Sequence, residues 1–222
     1  IMKHSEIPHH PISICFTVDE EIGEGPDHFD LKKMDANFAF TIDGADINCI
    51  DFENFNAQQV HINVIGVAVH PGEGKNTLIN AHVVMNHIIS QFPENETPFD
   101  AGYDDGYWHI NSVNGNSAEA DMYMILRDFD KDNLSKRDEQ VKEAVESARK
   151  KYPTATITYE IEWQYENMKP YVDADPRPLQ LATAALKKNG LEPRSSKIRG
   201  GTDGATFSKM GLVTPNMGTG SY

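Results

Sequence analysis

The sequence predicts an α/β protein in which a unit of buried strands is interrupted by a ferredoxin-like β-α-β-β-α-β domain. Two observations carry that expectation. Ile12-Ser13-Ile14-Cys15-Phe16-Thr17-Val18 is an almost continuous apolar run, the pattern of a strand buried on both faces of a parallel sheet. From Asn56 the texture changes to segments that alternate apolar and polar residues, interleaved with two stretches of helical spacing. Half-wet strands and amphipathic helices have these two periods.

The bulk properties narrow the class. With 222 residues the chain can form one large domain or two small ones. Its hydrophobic content is 39 % and no stretch is apolar enough to span a bilayer, so it reads as soluble and globular, without a membrane partner. The formal charge of −14 argues against a nucleic-acid backbone as partner and suits a surface that concentrates cations. Cys15 and Cys49 sit in short apolar runs as small hydrophobes. With no signal peptide in view they point to a reducing cytoplasm and no disulfide framework. Ile1-Met2 is an odd beginning and Gly220-Ser221-Tyr222 an abrupt end, so the chain reads as an internal piece of something longer.

Residues 3–11 hold three histidines between prolines. They read as loop histidines, because no thiolate or carboxylate spacing completes a metal site. The strand predicted over 12–18 ends in Asp19-Glu20-Glu21. Three neighbouring carboxylates raise one another's pKa, and a cation relieves that crowding. The carboxyl end of a buried strand is also where α/β proteins place ligands. A solvated acidic turn is the plain alternative. Phe29 to Met34 reads as a helical turn, and Phe38-Ala39-Phe40-Thr41-Ile42 as a second strand that ends in Asp43-Gly44. Ala45 to Phe52 reads as a third.

The predicted insert runs from Asn54 to about Gln164. Gln59 to Val67 alternates as a strand, and Leu78 to Phe92 carries Leu78, Ile79, Ala81, Val84, Met85, Ile88 and Ile89 on one helical stripe. Tyr107 to Val113 and Ala118 to Leu126 are strands joined at the hairpin signal Asn114-Gly115-Asn116. Asp132 to Lys151 is an amphipathic helix, and Thr154 to Trp163 alternates strictly. The order is that of the split βαβ fold. Beyond it, Pro178 to Asn189 is a helix with an Asn189-Gly190 stop. Arg199-Gly200-Gly201-Thr202-Asp203-Gly204 is a tight loop opening a short helix, whose amides and arginine suit an anion. A bare glycine-rich turn fits the same pattern.

Four patterns taken together resemble one family. They are Phe16-Thr17-Val18-Asp19-Glu20-Glu21-Ile22-Gly23, Thr41-Ile42-Asp43-Gly44, Val69-His70-Pro71-Gly72 and Arg199-Gly200-Gly201-Thr202-Asp203-Gly204. Phe52-Glu53-Asn54-Phe55-Asn56 and Ile125-Leu126-Arg127-Asp128-Phe129-Asp130 extend the likeness to essentially the whole chain. The sequence resembles the di-zinc peptidase family that also holds carboxypeptidase G and the aminoacylases, in its tripeptide-aminopeptidase branch. The resemblance implies a zinc-peptidase α/β catalytic domain in two parts, 1–53 and 165–222, around a ferredoxin-like lid over 54–164. It implies Glu20 as general base, Glu21 and Asp43 as zinc ligands, and His70 as stabiliser of the oxyanion. Arg127 from the lid and Arg199 from the catalytic domain would hold the peptide's terminal carboxylate. Without the likeness, His70 reads as a turn histidine and Arg127 as a surface charge.

The resemblance also implies what is missing. The family's His-x-Asp motif and bridging aspartate, expected upstream, are not found before Ile12, and its last histidine ligand falls beyond Tyr222. Two ligands do not make even one catalytic zinc site, which takes three. The expectation is therefore a parent tripeptidase with two zinc ions and an isolated chain that is inactive or nearly so. The unit holding 12–52 should expose apolar edge surface, and the lid should stay intact and pair with a second copy. Rival readings are a dipeptidase, a carboxypeptidase or an N-acyl amino acid hydrolase of the same family, or a non-catalytic dimerisation module.

Overall fold

In a computed structural model of the chain, the described residues are 6–18, 25–26, 29–44 and 46–220. Two units emerge. The first takes Ile1–Phe52, Met168–Ser196 and Thr202–Tyr222; the second takes Glu53–Asn167 and Lys197–Gly201. In chain order the elements are α1 (Leu31–Met34), β1 (Thr41–Ile42), β2 (Ile50–Asp51), β3 (Asn56–Ile65), α2 (Ala81–Ile89), β4 (Tyr107–Gly115) and β5 (Glu119–Asp128). They continue with α3 (Lys131–Lys151), β6 (Thr156–Tyr165), α4 (Lys169–Ala174), α5 (Arg177–Lys188), α6 (Asp203–Lys209) and β7 (Asn216–Met217). No helix among the described residues is long and apolar enough to cross a membrane.

In the first unit, β1, β7 and β2 form a small sheet in that order, β1 parallel and β2 antiparallel to β7. Ile50 of β2 is buried with Ala182 and Leu186 of α5, and Phe40 and Met217 pack against them. Asp51, also buried, is kept because its carboxylate accepts from the backbone N–H and the hydroxyl of Ser196, at 2.7 and 2.9 Å. The strand predicted over Ala45–Phe52 shortens to Ile50–Asp51.

The strand predicted over 12–18 is not formed. Ile12, Ile14 and Val18 are exposed and Phe16 is 92 % exposed. An apolar run becomes a buried strand only where neighbours take its N–H and C=O groups and layers cover both faces. No described strand pairs with this one. Most of its side chains instead reach outward, Ser13 donates to the Met34 carbonyl of α1 at 3.3 Å, and Thr17 turns to Asp203 of α6.

The second unit has the predicted order. Its sheet runs β4-β5-β3-β6, every neighbour antiparallel, with β3 and β5 in the centre. This is the strand arrangement of a ferredoxin-like fold, and the mixed α/β class read from the sequence is borne out. Alternation decides which face is covered. Val60, Ile62 and Val64 of β3 and Met122, Met124 and Leu126 of β5 point into one core with Val84, Met85 and Ile88 of α2 and Leu134, Val141, Ala144, Val145 and Ala148 of α3. Asp130 caps α3, its carboxylate accepting from Asp132 N–H and Asn133 N–H at 2.7 and 3.0 Å. The hairpin signal holds: Gly115, at φ +136°, lies where a Cβ would stand 2.2 Å from the Glu119 carbonyl oxygen.

Candidate active site

In the first unit, Glu20 and Glu21 lie outside the described residues. Asp43 follows β1 directly. Its backbone N–H donates to the Met217 carbonyl at 3.1 Å, and its carbonyl accepts from Asn216 Nδ2 at 3.2 Å. β7 thus pins the Asp43 backbone, while the residue is exposed. Asp203, at the first turn of α6, is buried and accepts from Thr17 Oγ1 at 2.8 Å. Gly25 approaches the same carboxylate so closely that a Cβ there would stand 2.5 Å from Oδ2. Thr17 and Gly25 flank the acidic stretch in sequence, so both neighbours of that stretch meet one buried aspartate. Sequence reading had the residue in its motif but had no signal for this contact.

In the second unit, His70 is exposed and caps the 3-10 turn Pro71–Glu73. Its Nδ1 accepts from the Gly72 N–H at 3.2 Å. That bond assigns the hydrogen of the neutral ring to Nε2, which leaves an outward N–H donor. The turn-histidine reading and the donor role are therefore compatible in one conformation.

Arg127 is not a surface charge. It is 9 % exposed at the end of β5, where one terminal nitrogen donates to the carbonyls of Gln58 and Leu126, both at 3.0 Å. The other donates to Gln164 Oε1 at 2.7 Å. The guanidinium carbon lies 5.3 Å from the centre of the Tyr165 ring. Burial pushes the Tyr165 phenol up, and the adjacent Arg127 charge partly opposes that.

Arg199, expected from the catalytic part of the chain, falls in the second unit. Ile198 N–H donates to the Glu53 carbonyl at 2.9 Å and Phe55 N–H to the Ile198 carbonyl at 3.2 Å, which fastens this segment beside β3. One terminal nitrogen of Arg199 donates to the carbonyls of Gly102 and Tyr103. Its guanidinium lies over three rings, 5.1 Å from Phe55, 5.6 Å from Tyr107 and 5.9 Å from Tyr103. Tyr107 is the cross-strand partner of Arg127. Gly201 packs on Tyr165, where a Cβ would come within 2.9 Å of the ring. The structure thus gathers both arginines around Tyr107 and Tyr165 in one unit. The aromatic residues were missed; their signal is their position at the ends of alternating strands, beside the arginines.

A metal asks more of this donor set. Among the described residues no group of three or more His, Cys, Asp or Glu side chains is placed to hold one. Asp43 supplies one exposed carboxylate of the candidate ligands, and a catalytic zinc takes three protein ligands. The described residues do not fit a complete zinc centre by themselves.

The family model described as the peptidase dimerisation domain matches residues 52–154. That match covers most of the second unit, which is similar to the domain so described. Over all 222 residues the chain is 40 % identical to peptidase T of Caldanaerobacter subterraneus, covering 54 % of that protein. The likeness to the tripeptide-aminopeptidase branch is borne out, and the chain spans about half the length of the curated relatives it matches. Among solved structures, a Staphylococcus aureus tripeptidase superposes with a TM-score of 0.84 at 20 % identity, over 99 % of this chain and 58 % of that one. A Bacillus subtilis protein described as a dinuclear metal binding peptidase of the M20 family gives 0.63 at 18 %, over 92 % and 55 %. At those identities the superpositions speak to the fold.

Proposed function

We propose that these residues belong to a metal-dependent aminopeptidase that releases the N-terminal residue of tripeptides. The observation that most supports it is similarity to peptidase T over the whole of this chain, spanning the acidic and the Arg-Gly-Gly-Thr-Asp-Gly motifs together. In this reading Glu20 is the general base, and Glu21 and Asp43 contribute to holding two zinc ions with ligands from outside the described residues. Zinc, when bound, supplies the acidification of a water molecule. Glu20 accepts the proton and returns it to the leaving amine. His70 supplies an Nε2–H donor for the developing oxyanion. Arg127 and Arg199, already held around Tyr107, bind the peptide's terminal carboxylate through the guanidinium edges that their carbonyl contacts leave open. The protein works in the cytoplasm as a homodimer joined through the second unit.

In the same reading the 222-residue chain alone does not turn over peptides, because its ligand count falls short. The test compares the longer protein with its Glu20→Ala variant, by metal content and tripeptide hydrolysis. Retained metal with turnover lost supports these roles; retained turnover refutes them. Zinc-dependent hydrolysis by the 222-residue chain alone would refute the second part. The match of 52–154 to a dimerisation domain favours one other reading, an assembly module without catalysis. In that case the longer protein neither holds zinc at Glu21 and Asp43 nor responds to Glu20→Ala.

A further inference from the structure

Gln58 is a polar residue in an apolar place. It lies on the helix-covered face of β3, two positions before Val60, and is 1 % exposed. Its Nε2 donates to Asp138 Oδ2 of α3 at 3.2 Å. The other oxygen of each group, Gln58 Oε1 and Asp138 Oδ1, is sealed from solvent, and no donor among the described residues reaches either. Two acceptors left this way beside a formed bond between the same two groups are the signature of one missing proton. A proton on Oδ1 turns the pair into a carboxylic acid facing a carboxamide, each group donating once and accepting once.

We propose that Asp138 and Gln58 form a cyclic acid–amide pair, so that α3 is latched to the sheet by a carboxyl group that keeps its proton. Oδ1–H donates to Oε1 while Nε2–H donates to Oδ2, and both oxygens are then satisfied. The surrounding charges favour the neutral form. Glu139, next along α3, is a like charge, and its own partner is Lys142 at 3.2 Å. Arg137 is turned to Glu96 and to Asp128 of β5. Lys131, at the start of α3, lies over Trp163 of β6 and is 3.5 Å from Glu166. On β6, Glu160 and Glu162 pair with His61 and Gln59, which alternate onto the opposite face from Gln58. On α2, His87 is bonded to Ser147 and Lys151, farther along α3. Burial pushes the Asp138 carboxyl up, Glu139 pushes in the same direction, and the Gln58 bond opposes them.

The latch weakens as pH rises. A carboxyl whose folded pKa is raised contributes stability that is complete below its unfolded value and is lost as pH climbs through the folded one. The test is a carbonyl-carbon NMR titration of the whole 222-residue chain, with Asp138 assigned through Asp138→Asn. The proposal expects the Asp138 carboxyl to titrate above the ordinary aspartate value, with the Gln58 side-chain amide protons following the same midpoint. A midpoint at or below the ordinary value overturns it, whether a bridging water or a bound cation is responsible. Melting temperature against pH provides a second reading. Asp138→Asn keeps a two-bond amide–amide pair without a titrating proton, so its profile should lose the decline that the parent shows as pH rises above the ordinary aspartate range. Parallel profiles overturn the proposal. If the variant does not fold, the titration of the parent chain decides by itself.

Discussion

Removing the guanidinium of Arg137 should destabilise the second unit far more than removing a surface charge. Arg137 is 9 % exposed on α3 and contacts two acids. Its terminal nitrogen lies 2.5 Å from Glu96 Oε2 and its Nε 3.5 Å from Asp128 Oδ2. The acids differ in consequence. The Glu96 side chain is 35 % exposed and can return to water when its partner leaves, so that half is worth about 0–1 kcal/mol. Asp128 is 5 % exposed, and its Oδ1 accepts from the Asp130 N–H at 3.0 Å. Gly106 seals it further, since a Cβ there would stand 2.1 Å from Oδ2. Arg137→Ala therefore leaves a buried carboxylate with its partner cation gone, a change that costs about 3–5 kcal/mol. For a unit of this size that is a fall in melting temperature of roughly 10–20 °C. Both tryptophans of the chain, Trp108 and Trp163, belong to this unit, so tryptophan fluorescence follows its unfolding separately from the first unit. Asp128→Asn should recover part of the loss in the double variant, because the stranded charge is then absent. A fall of less than about 3 °C, or simple additivity of the two changes, would refute the assignment of Asp128 as a buried charge dependent on Arg137.

Two further outcomes follow from the same unit. Under the proposed function, Arg127→Met in the longer protein should raise KM for a tripeptide about 10- to 100-fold, the worth of a charge-assisted hydrogen bond, and should lose preference for a free over an amidated C-terminus. Unchanged preference, with tryptophan fluorescence showing a folded unit, removes Arg127 from carboxylate binding. On the open face of the sheet, His61 stacks on Tyr123 at 4.4 Å and its Nε2 lies 2.7 Å from Asp121 Oδ1. That bond, with help from Asn63, holds the Asp121 carboxyl below its ordinary range. The pair's stability is therefore present above the unfolded carboxylate pKa and is lost as pH falls through the folded one, opposite in sign to the Asp138 latch. His61→Ala should flatten the acid limb of the melting profile; an unchanged acid limb shows that the bond contributes nothing.

The acid limb, the Arg137 network and the latch all sit in the part of the chain whose fold was most legible. Period-two alternation in Gln59–Val67, Ala118–Leu126 and Thr154–Trp163 marked three of the four strands, because each has one covered and one open face, and the helical stripes between marked both helices. Boundaries moved by a few residues where caps intervened, as at Asn80 before α2 and Asp130 before α3. The run Ile12–Val18 misled because it has the composition of a buried strand, and composition says nothing about whether pairing partners are present. Arg127 misled in the other direction. A charged residue at a strand end reads as solvated, and only tertiary structure supplies the two carbonyls and the Gln164 oxygen that bury it.

Taken by itself, the sequence determined the order of elements, the covered face of each strand in the second unit and the family likeness. These depend on local periodicity and on motifs that survive as strings. Tertiary structure alone decided that Arg199 joins Arg127 in one unit, that Asp203 meets both Thr17 and Gly25, and that Gln58 and Asp138 share a sealed space. Several of these contacts join residues far apart in the chain, 69 positions between Arg127 and Gln58, 80 between Gln58 and Asp138 and 186 between Thr17 and Asp203. Such contacts are set by how layers pack, and no local pattern in the chain encodes them.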